Sequence, residues 1–184
     1  MIQINIPKKI SKKKGNDYQV SGADVIVNVR DKKGKLKCNF LIDLDIWEQV
    51  KDYYWNTKPS FKGDLYVHNP TIGYLHKIIH NSPEGKEVDH INGNRMDNRL
   101  SNLRVCTHRE NSRNLCLKKN NTSGYPGIVK DKRTGCWMAR IKLNYKDKSL
   151  GYFKDKEEAI KCRKEAEDKY FGEFSPNRSR DGKV

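Results

Sequence analysis

Asp89 and His90 stand together at the head of VDHINGNRMDNRLSNLRVCTHRENSRN, the stretch from Val88 to Asn114. Asn102 follows twelve positions after the histidine and Asn111 nine positions after that. A carboxylate, an imidazole and two carboxamides can together hold one hard cation and activate one water. Hydrolysing a phosphodiester at neutral pH needs that activated water, charge stabilisation on phosphorus and help for the departing 3′ oxygen. A histidine whose pKa is near 6.5 can take a proton from water. Asp89 and the amide oxygen of Asn111 supply two oxygen ligands and leave places for phosphate oxygens and water. Asn102 is placed to fix the His90 loop through its carboxamide. Each residue alone is ordinary: Asp-His pairs occur in many loops, and asparagines more often make turns or caps. Their combination is what carries the signal.

The elements that must position these residues can be read from the surrounding pattern. Glu87-Val88 forms a short strand leading into Asp89-His90, and Asn92-Gly93-Asn94 with Asp97-Asn98 forms a loop. Leu100, Leu103 and Val105 mark a second short strand or extended segment. Thr107 is an N-cap with Glu110 three residues on, a capping box, so a helix should run from His108 to about Lys119 with Asn111 in its first turn. Upstream, Tyr74 to His80 reads as a short helix facing inward through Leu75, Ile78 and Ile79. His76 and His80 are four apart, a metal-ligand spacing, but nothing between them completes a site, so both read as packed or surface histidines.

Alternation predicts a hairpin over Asp24 to Ile42, a helix over Asp43 to Trp55 and a short strand at Leu65-Tyr66-Val67. After the linker Asn120 to Gly124 come three strands, Tyr125 to Lys130, Cys136 to Leu143 and Lys148 to Phe153. A helix capped by Asp155 follows, with Glu158 at its third position and Ala159, Cys162, Ala166 and Tyr170 as its buried stripe. In the middle strand Trp137, Ala139, Ile141 and Leu143 alternate with Met138, Arg140 and Lys142, giving one apolar and one basic face.

Lys and Arg outnumber Asp and Glu by 38 to 23, a formal charge of +15, which points to a polyanionic partner, nucleic acid before a membrane surface. At 35% hydrophobic residues in 184, several small cores are expected rather than one large one. No apolar run reaches the roughly 18 residues of a membrane span, and the N-terminus lacks a signal-peptide core, so an intracellular, cytoplasmic protein is expected. The five cysteines are scattered without a C-x-x-C pair and read as reduced thiols, against a cysteine-built zinc site. Lys8, Lys9, Lys12, Lys13 and Lys14 form a basic arm that suits either solvent or phosphate.

The Asp-His pair, the LSNLR segment and the terminal asparagine resemble the HNH (ββα-metal) nuclease motif of phage and intron homing endonucleases, and YLHKII resembles the helix preceding it. The resemblance implies that Asp89 and Asn111 ligate one Mg²⁺ or Mn²⁺ per site, that His90 is the general base, and that Asn102 positions the histidine loop. It also suggests a phage-encoded protein in a bacterial host. GYPGIVKDKRTGCWMARI and SLGYFKDKEEAIKCRKEAEDKYFGEF are similar to the APETALA/ethylene-response-factor DNA-binding domain, which lays a three-stranded antiparallel sheet backed by one helix into the major groove. Gly127, Trp137, Ala139, Ile141, Leu150, Gly151, Phe153, Glu158, Ala159 and Ala166 carry that likeness, whereas Val129, Asp131 and Ser149 depart from the plant reading face. The candidate DNA contacts are Lys130, Lys132, Arg133, Arg140, Lys142, Lys146 and Lys148, with Arg140 and Lys142 foremost.

The expected fold class is α+β: a β-rich N-terminal region over residues 1–70, a ββα-metal core over 71–120, a sheet-and-helix domain over 121–174 and a disordered basic tail over 175–184. The expected function is site-selective, metal-dependent cutting of duplex DNA by a homing-type endonuclease, with no small-molecule cofactor and no membrane, as a monomer. The alternatives are a non-catalytic, sequence-specific DNA-binding regulator that retains a nuclease motif and, more weakly, an RNA-binding protein.

Overall fold

The structure, a computed structural model, describes residues 3–6, 15–60, 63–112 and 121–177. The basic arm at Lys8 to Lys14 lies outside the described residues. So do the expected helix beyond Ser112 and the tail beyond Asn177. The fold is mixed α/β, built among the described residues on four small antiparallel sheets with few helices. It divides into two compact units between His108 and Arg109.

The first unit begins with a meander of β1 (Tyr18–Ser21), β2 (Asp24–Arg30) and β3 (Leu36–Asp43). The alternation in β2 sends Val25, Val27 and Val29 wholly inside, where each β-branched side chain contributes about 1.5–3 kcal/mol of burial. The expected hairpin is present. β1 went unforeseen because it is only four residues long, too short for the alternation of Tyr18 and Val20 to stand out, and all four are exposed. The next helix, α1 (Leu44–Val50), is shorter than the expected span to Trp55. Its end has a local cause. The Asn16 carboxamide grips Trp55 from both sides, accepting from its backbone N–H at 2.7 Å and donating to its carbonyl at 2.9 Å. The Trp55 indole N–H meanwhile donates to the Val50 carbonyl at the helix terminus, 3.1 Å away.

β4 (Asn56–Pro59), β5 (Leu65–Asn69) and β6 (Gly73–Tyr74) form a second sheet that runs into α2 (Leu75–His80). α2 closes on Asn81 in the left-handed conformation, φ 42°, a usual C-terminal cap for asparagine. A two-stranded sheet of β7 (Glu87–His90) and β8 (Leu103–Cys106) completes the unit, and α3 (His108–Asn111) begins two residues later. One apolar core joins these elements, taking in Ile4, the β2 valines, Trp47, Trp55, Leu75, Ile79, Val88 and Leu103. The boundary expected at residue 70 therefore has no counterpart. The N-terminal sheet and the motif hairpin share a core because neither has enough apolar surface to close one alone.

In the second unit β9 (Ile128–Lys130), β10 (Trp137–Leu143) and β11 (Lys146–Phe153) form an antiparallel sheet in the order 9-10-11. Asn144 and Tyr145, at φ 49° and 66°, make the two-residue turn that the twist of a hairpin favours. Gly127 has φ 74°, and a Cβ there would meet the Arg140 carbonyl oxygen at 2.3 Å, so only glycine fits. α4 (Lys156–Phe171) lies on the sheet and starts as expected, with Asp155 accepting from the Glu158 N–H at 2.9 Å. Its buried face differs from the expected stripe: Ala159, Arg163, Ala166, Glu167 and Phe171 are buried, while Cys162 and Tyr170 are only half-buried. An Arg163–Glu167 ion pair at 2.9 Å lets two charged residues occupy that face. The chain remains packed past residue 174, another correction, because Asn177 is buried and donates to the Lys164 carbonyl at 3.0 Å.

Candidate active site and nucleic-acid face

β7 and β8 pair so that Glu87 faces Cys106, Val88 faces Val105, Asp89 faces Arg104 and His90 faces Leu103. The pleat turns Val88 and His90 to the buried side and Glu87 and Asp89 to the other. Asp89 and His90, adjacent in the chain, thus take different partners. The Arg104 guanidinium donates to Asp89 Oδ2 from Nε at 3.2 Å and Nη2 at 2.8 Å. The His90 ring lies 5.1 Å from that of His76, edge to face, and 6.2 Å from that of Tyr66. His90 is only 4% exposed.

Burial lowers the His90 pKa, partly offset by its contact with Asn98 and the charge of Asp89, so the ring is neutral at pH 7. Its Nε2 faces the Asn98 carboxamide oxygen at 3.4 Å. That oxygen can only accept, which places the proton on Nε2 and the lone pair on Nδ1. His76 is buried among the rings of His90, Tyr66 and Tyr74. Burial, reinforced by the neighbouring His90 charge, pushes its pKa down to about 3. It is a packed histidine, one of the two readings left by the lack of a completing ligand between His76 and His80.

The loop after His90 is held by its own amides and one carboxylate. The Asn102 carboxamide accepts from the Asn92 N–H at 2.9 Å and donates to the Asp97 carbonyl at 2.8 Å, while the Asn102 carbonyl accepts from the Ile91 N–H at 2.8 Å. Asp97, buried, is clasped by Arg99 from Nε and Nη2, each at 2.8 Å. Burial alone would raise the Asp97 pKa, but the Arg99 hydrogen bonds outweigh it and the carboxyl stays below its usual range. Arg99 also reaches Asp24 of β2 at 3.0 Å. Leu41 of β3 donates to the Met96 carbonyl and accepts from the Asn98 N–H, both at 2.8 Å, and Asp43 accepts from the Leu100 N–H at 2.7 Å. The loop is therefore an extension of the N-terminal sheet.

Of the residues singled out in the sequence, Asp89, His90 and Asn102 lie in this hairpin and its loop. Asn111 is the last residue of α3, half-buried, on the second unit's side of the division. Sequence reasoning missed Asn98, Asp97, Arg99 and Arg104. Asp97 and Asn98 sit in a stretch read only as turn chemistry, Arg99 directly follows it, and Arg104 emerges only when the register sets it opposite Asp89. Among the described residues no group of three or more His, Cys, Asp and Glu side chains gathers as a metal site. The donor set, one carboxylate with amide oxygens nearby in sequence, suits a hard cation that keeps much of its water, as Mg²⁺ does, rather than zinc.

In the second unit, register divides the basic residues. Arg140 and Lys142 are exposed on the face of β10 that also carries Met138. Beside them lie Val129, Tyr152 and Ser149, cross-strand partners of Met138 and Arg140. Lys148 pairs in register with the buried Ile141 and donates to the Tyr170 hydroxyl of α4 at 2.8 Å, so it belongs to the opposite face. Lys130 pairs with Trp137 and sits over its ring at 5.4 Å, likewise away from Arg140. Lys132 and Arg133 lie in the β9–β10 turn. There Asp131 accepts from the Arg133 N–H at 2.9 Å and the Thr134 hydroxyl at 3.0 Å, so this departure from the plant pattern holds the turn.

Residues 81–113, from the end of α2 through the hairpin and into α3, match the family model described as HNH endonuclease. A 59-residue stretch is 39% identical to Protein 3.8 of Escherichia phage T7, covering 32% of this chain and 49% of that protein. The chain thus spans about half the length of that relative. No solved structure matches it. These similarities support an HNH endonuclease-type segment over residues 81–113. No helix among the described residues is long and apolar enough to cross a membrane.

Proposed function

We propose that the protein is a site-selective, metal-dependent endonuclease of the homing HNH type that hydrolyses duplex DNA. The observation that carries this reading is the coincidence of the family match with the β7–β8 hairpin, whose loop is tied at both ends by the Asn102 carboxamide. His90 takes the proton of the attacking water on Nδ1, since Nε2–H is turned to Asn98. The water oxygen bonds to phosphorus, the bond to the 3′ oxygen breaks, and the electron pair leaves with that oxygen. Asp89 and the amide oxygen of Asn111 would hold one Mg²⁺ or Mn²⁺. When bound, such an ion neutralises phosphate charge and stabilises the departing oxygen. Asn102 keeps the loop, and through it His90, in place. Arg140 and Lys142, on the exposed face of the second sheet, contact the duplex and select the site.

His90→Ala tests the reading. It should leave DNA affinity nearly intact while cutting of supercoiled plasmid in Mg²⁺ collapses, and unchanged cutting would overturn the assignment of the base. The burial of His90 and the ion pair between Asp89 and Arg104 favour a second reading, a DNA-binding regulator that keeps the motif without the activity. Tight binding with no cutting of any duplex in Mg²⁺ or Mn²⁺ would select that reading.

A further inference from the structure

The pairing of Arg104 with Asp89 goes beyond the ordinary surface ion pair. The two residues are register partners on β8 and β7, and both side chains are largely buried, 13% and 11% exposed. The guanidinium sends Nε–H and one Nη2–H to the same oxygen, Asp89 Oδ2. If Asp89 is the carboxylate that binds a divalent ion, as proposed above, that ion and the guanidinium compete for one anionic group. Two cations cannot share it closely without strong repulsion, so metal entry loosens Arg104. Arg104 cannot retreat far, because its backbone is paired into the hairpin. Left in place it would be a largely buried cation that has given up its carboxylate contact, a costly state that a nearby anion relieves. The anion that arrives with the metal is a phosphodiester, and a guanidinium fork matches two of its oxygens.

We propose that Arg104 is a phosphate-binding catalytic residue held in reserve by Asp89. In the free protein it occupies the carboxylate. When metal and DNA bind, it exchanges Asp89 for the non-bridging oxygens of the scissile phosphate. The proposal rests on the nuclease reading above and adds a thermodynamic signature that the reading alone lacks. Removing Arg104 should strengthen metal binding and weaken cutting, two effects of opposite sign. It should also weaken the coupling between DNA and metal binding, because the exchange adds to whatever the ion's own contact with phosphate supplies, and such coupling is reciprocal.

The test uses the full chain, with Mn²⁺ binding followed by electron paramagnetic resonance and duplex affinity by fluorescence anisotropy, with and without Ca²⁺. Arg104→Gln should bind Mn²⁺ roughly tenfold more tightly, since a competing partner has gone. It should show a smaller Ca²⁺-dependent gain in DNA affinity than the wild type, and cut roughly a hundredfold more slowly. Arg104→Lys, which keeps the charge but not the fork, should give the same signs at smaller size, and it decides the matter if Arg104→Gln does not fold. Mn²⁺ affinity that is unchanged or weaker in the variants would overturn the proposal, leaving Arg104 as a prop for the Asp89 carboxylate. A wild type that cuts DNA while the variants bind and cut as it does overturns the Arg104 role alone. A wild type that neither binds Mn²⁺ nor cuts removes the nuclease reading and this proposal with it.

Discussion

Leu41 in β3 and Asp97 in the motif loop form a parallel bridge: Leu41 donates to the carbonyl before Asp97 and accepts from the N–H after it, both at 2.8 Å. The N-terminal sheet, through β3, is thus part of the frame that holds the loop. Leu41→Pro should remove the donated bond, cost about 3 kcal/mol or more in thermal or urea unfolding, and abolish cutting. Asp43→Ala, which only takes the acceptor from the Leu100 N–H, should cost about 1 kcal/mol and leave a measurable rate. A Leu41→Pro effect no larger than that of Asp43→Ala would mean that the bridge at Leu41 does not hold the loop.

Asn102 offers a sharper test, because its two hydrogen bonds need different chemistry. Asn102→Asp keeps an acceptor for the Asn92 N–H but puts a carboxylate against the Asp97 carbonyl in a buried position. It should be at least as damaging as Asn102→Ala, with each costing about 1–3 kcal/mol and lowering the cutting rate more than the DNA affinity. A harmless Asn102→Asp would show that the donor half of the carboxamide is dispensable.

Elements whose burial follows a simple period were legible before the structure: β2 and β3, the middle strand β10, and α4 with its Asp155 cap. Other features rest on partners distant in the chain. β1 is short and leaves all four residues exposed, with Tyr18 set edge-on against Trp47, and α1 stops early because Asn16 holds Trp55. Arg163 and Glu167 lie outside the apolar stripe read from the sequence, since charged side chains are rarely buried, but their mutual pairing lets both go inside. In the motif, the residue types Asp, His and Asn could be read for their chemistry. That Asp89 meets Arg104 while His90 meets His76 follows from the pleat and register of a hairpin, which a dipeptide does not reveal.

Acid should weaken the fold through His76. Its folded pKa of about 3 lies well below the ordinary 6.5, so the unfolded chain binds the proton more readily. The stabilisation is fully present above pH 6.5 and is lost progressively as pH falls from there toward about 3. At about 1.4 kcal/mol per pKa unit, this amounts to a few kcal/mol at the acid end. Urea unfolding from pH 8 to 4 should show that decline, and His76→Phe should flatten it. An identical slope in the variant would place the acid sensitivity elsewhere.

The basic residues of the second sheet should differ in their contribution to DNA binding according to the face they occupy. Arg140 and Lys142 project from the exposed face of β10, whereas Lys148 is engaged with Tyr170 on the helix side. Each phosphate contact releases counterions, so removing one lowers the slope of log K against log salt by about one. Arg140→Ala and Lys142→Ala should each reduce that slope and weaken binding several-fold, while Lys148→Ala should leave the slope nearly unchanged. If Arg140 contacts a base edge instead of a phosphate, Arg140→Ala should relax discrimination at one base pair by about 1–3 kcal/mol with little change in slope. Anisotropy titrations of a target duplex and its single-base variants, at several salt concentrations, separate these outcomes. A Lys148→Ala effect as large as that of Arg140→Ala would move the DNA-binding face to the other side of the sheet.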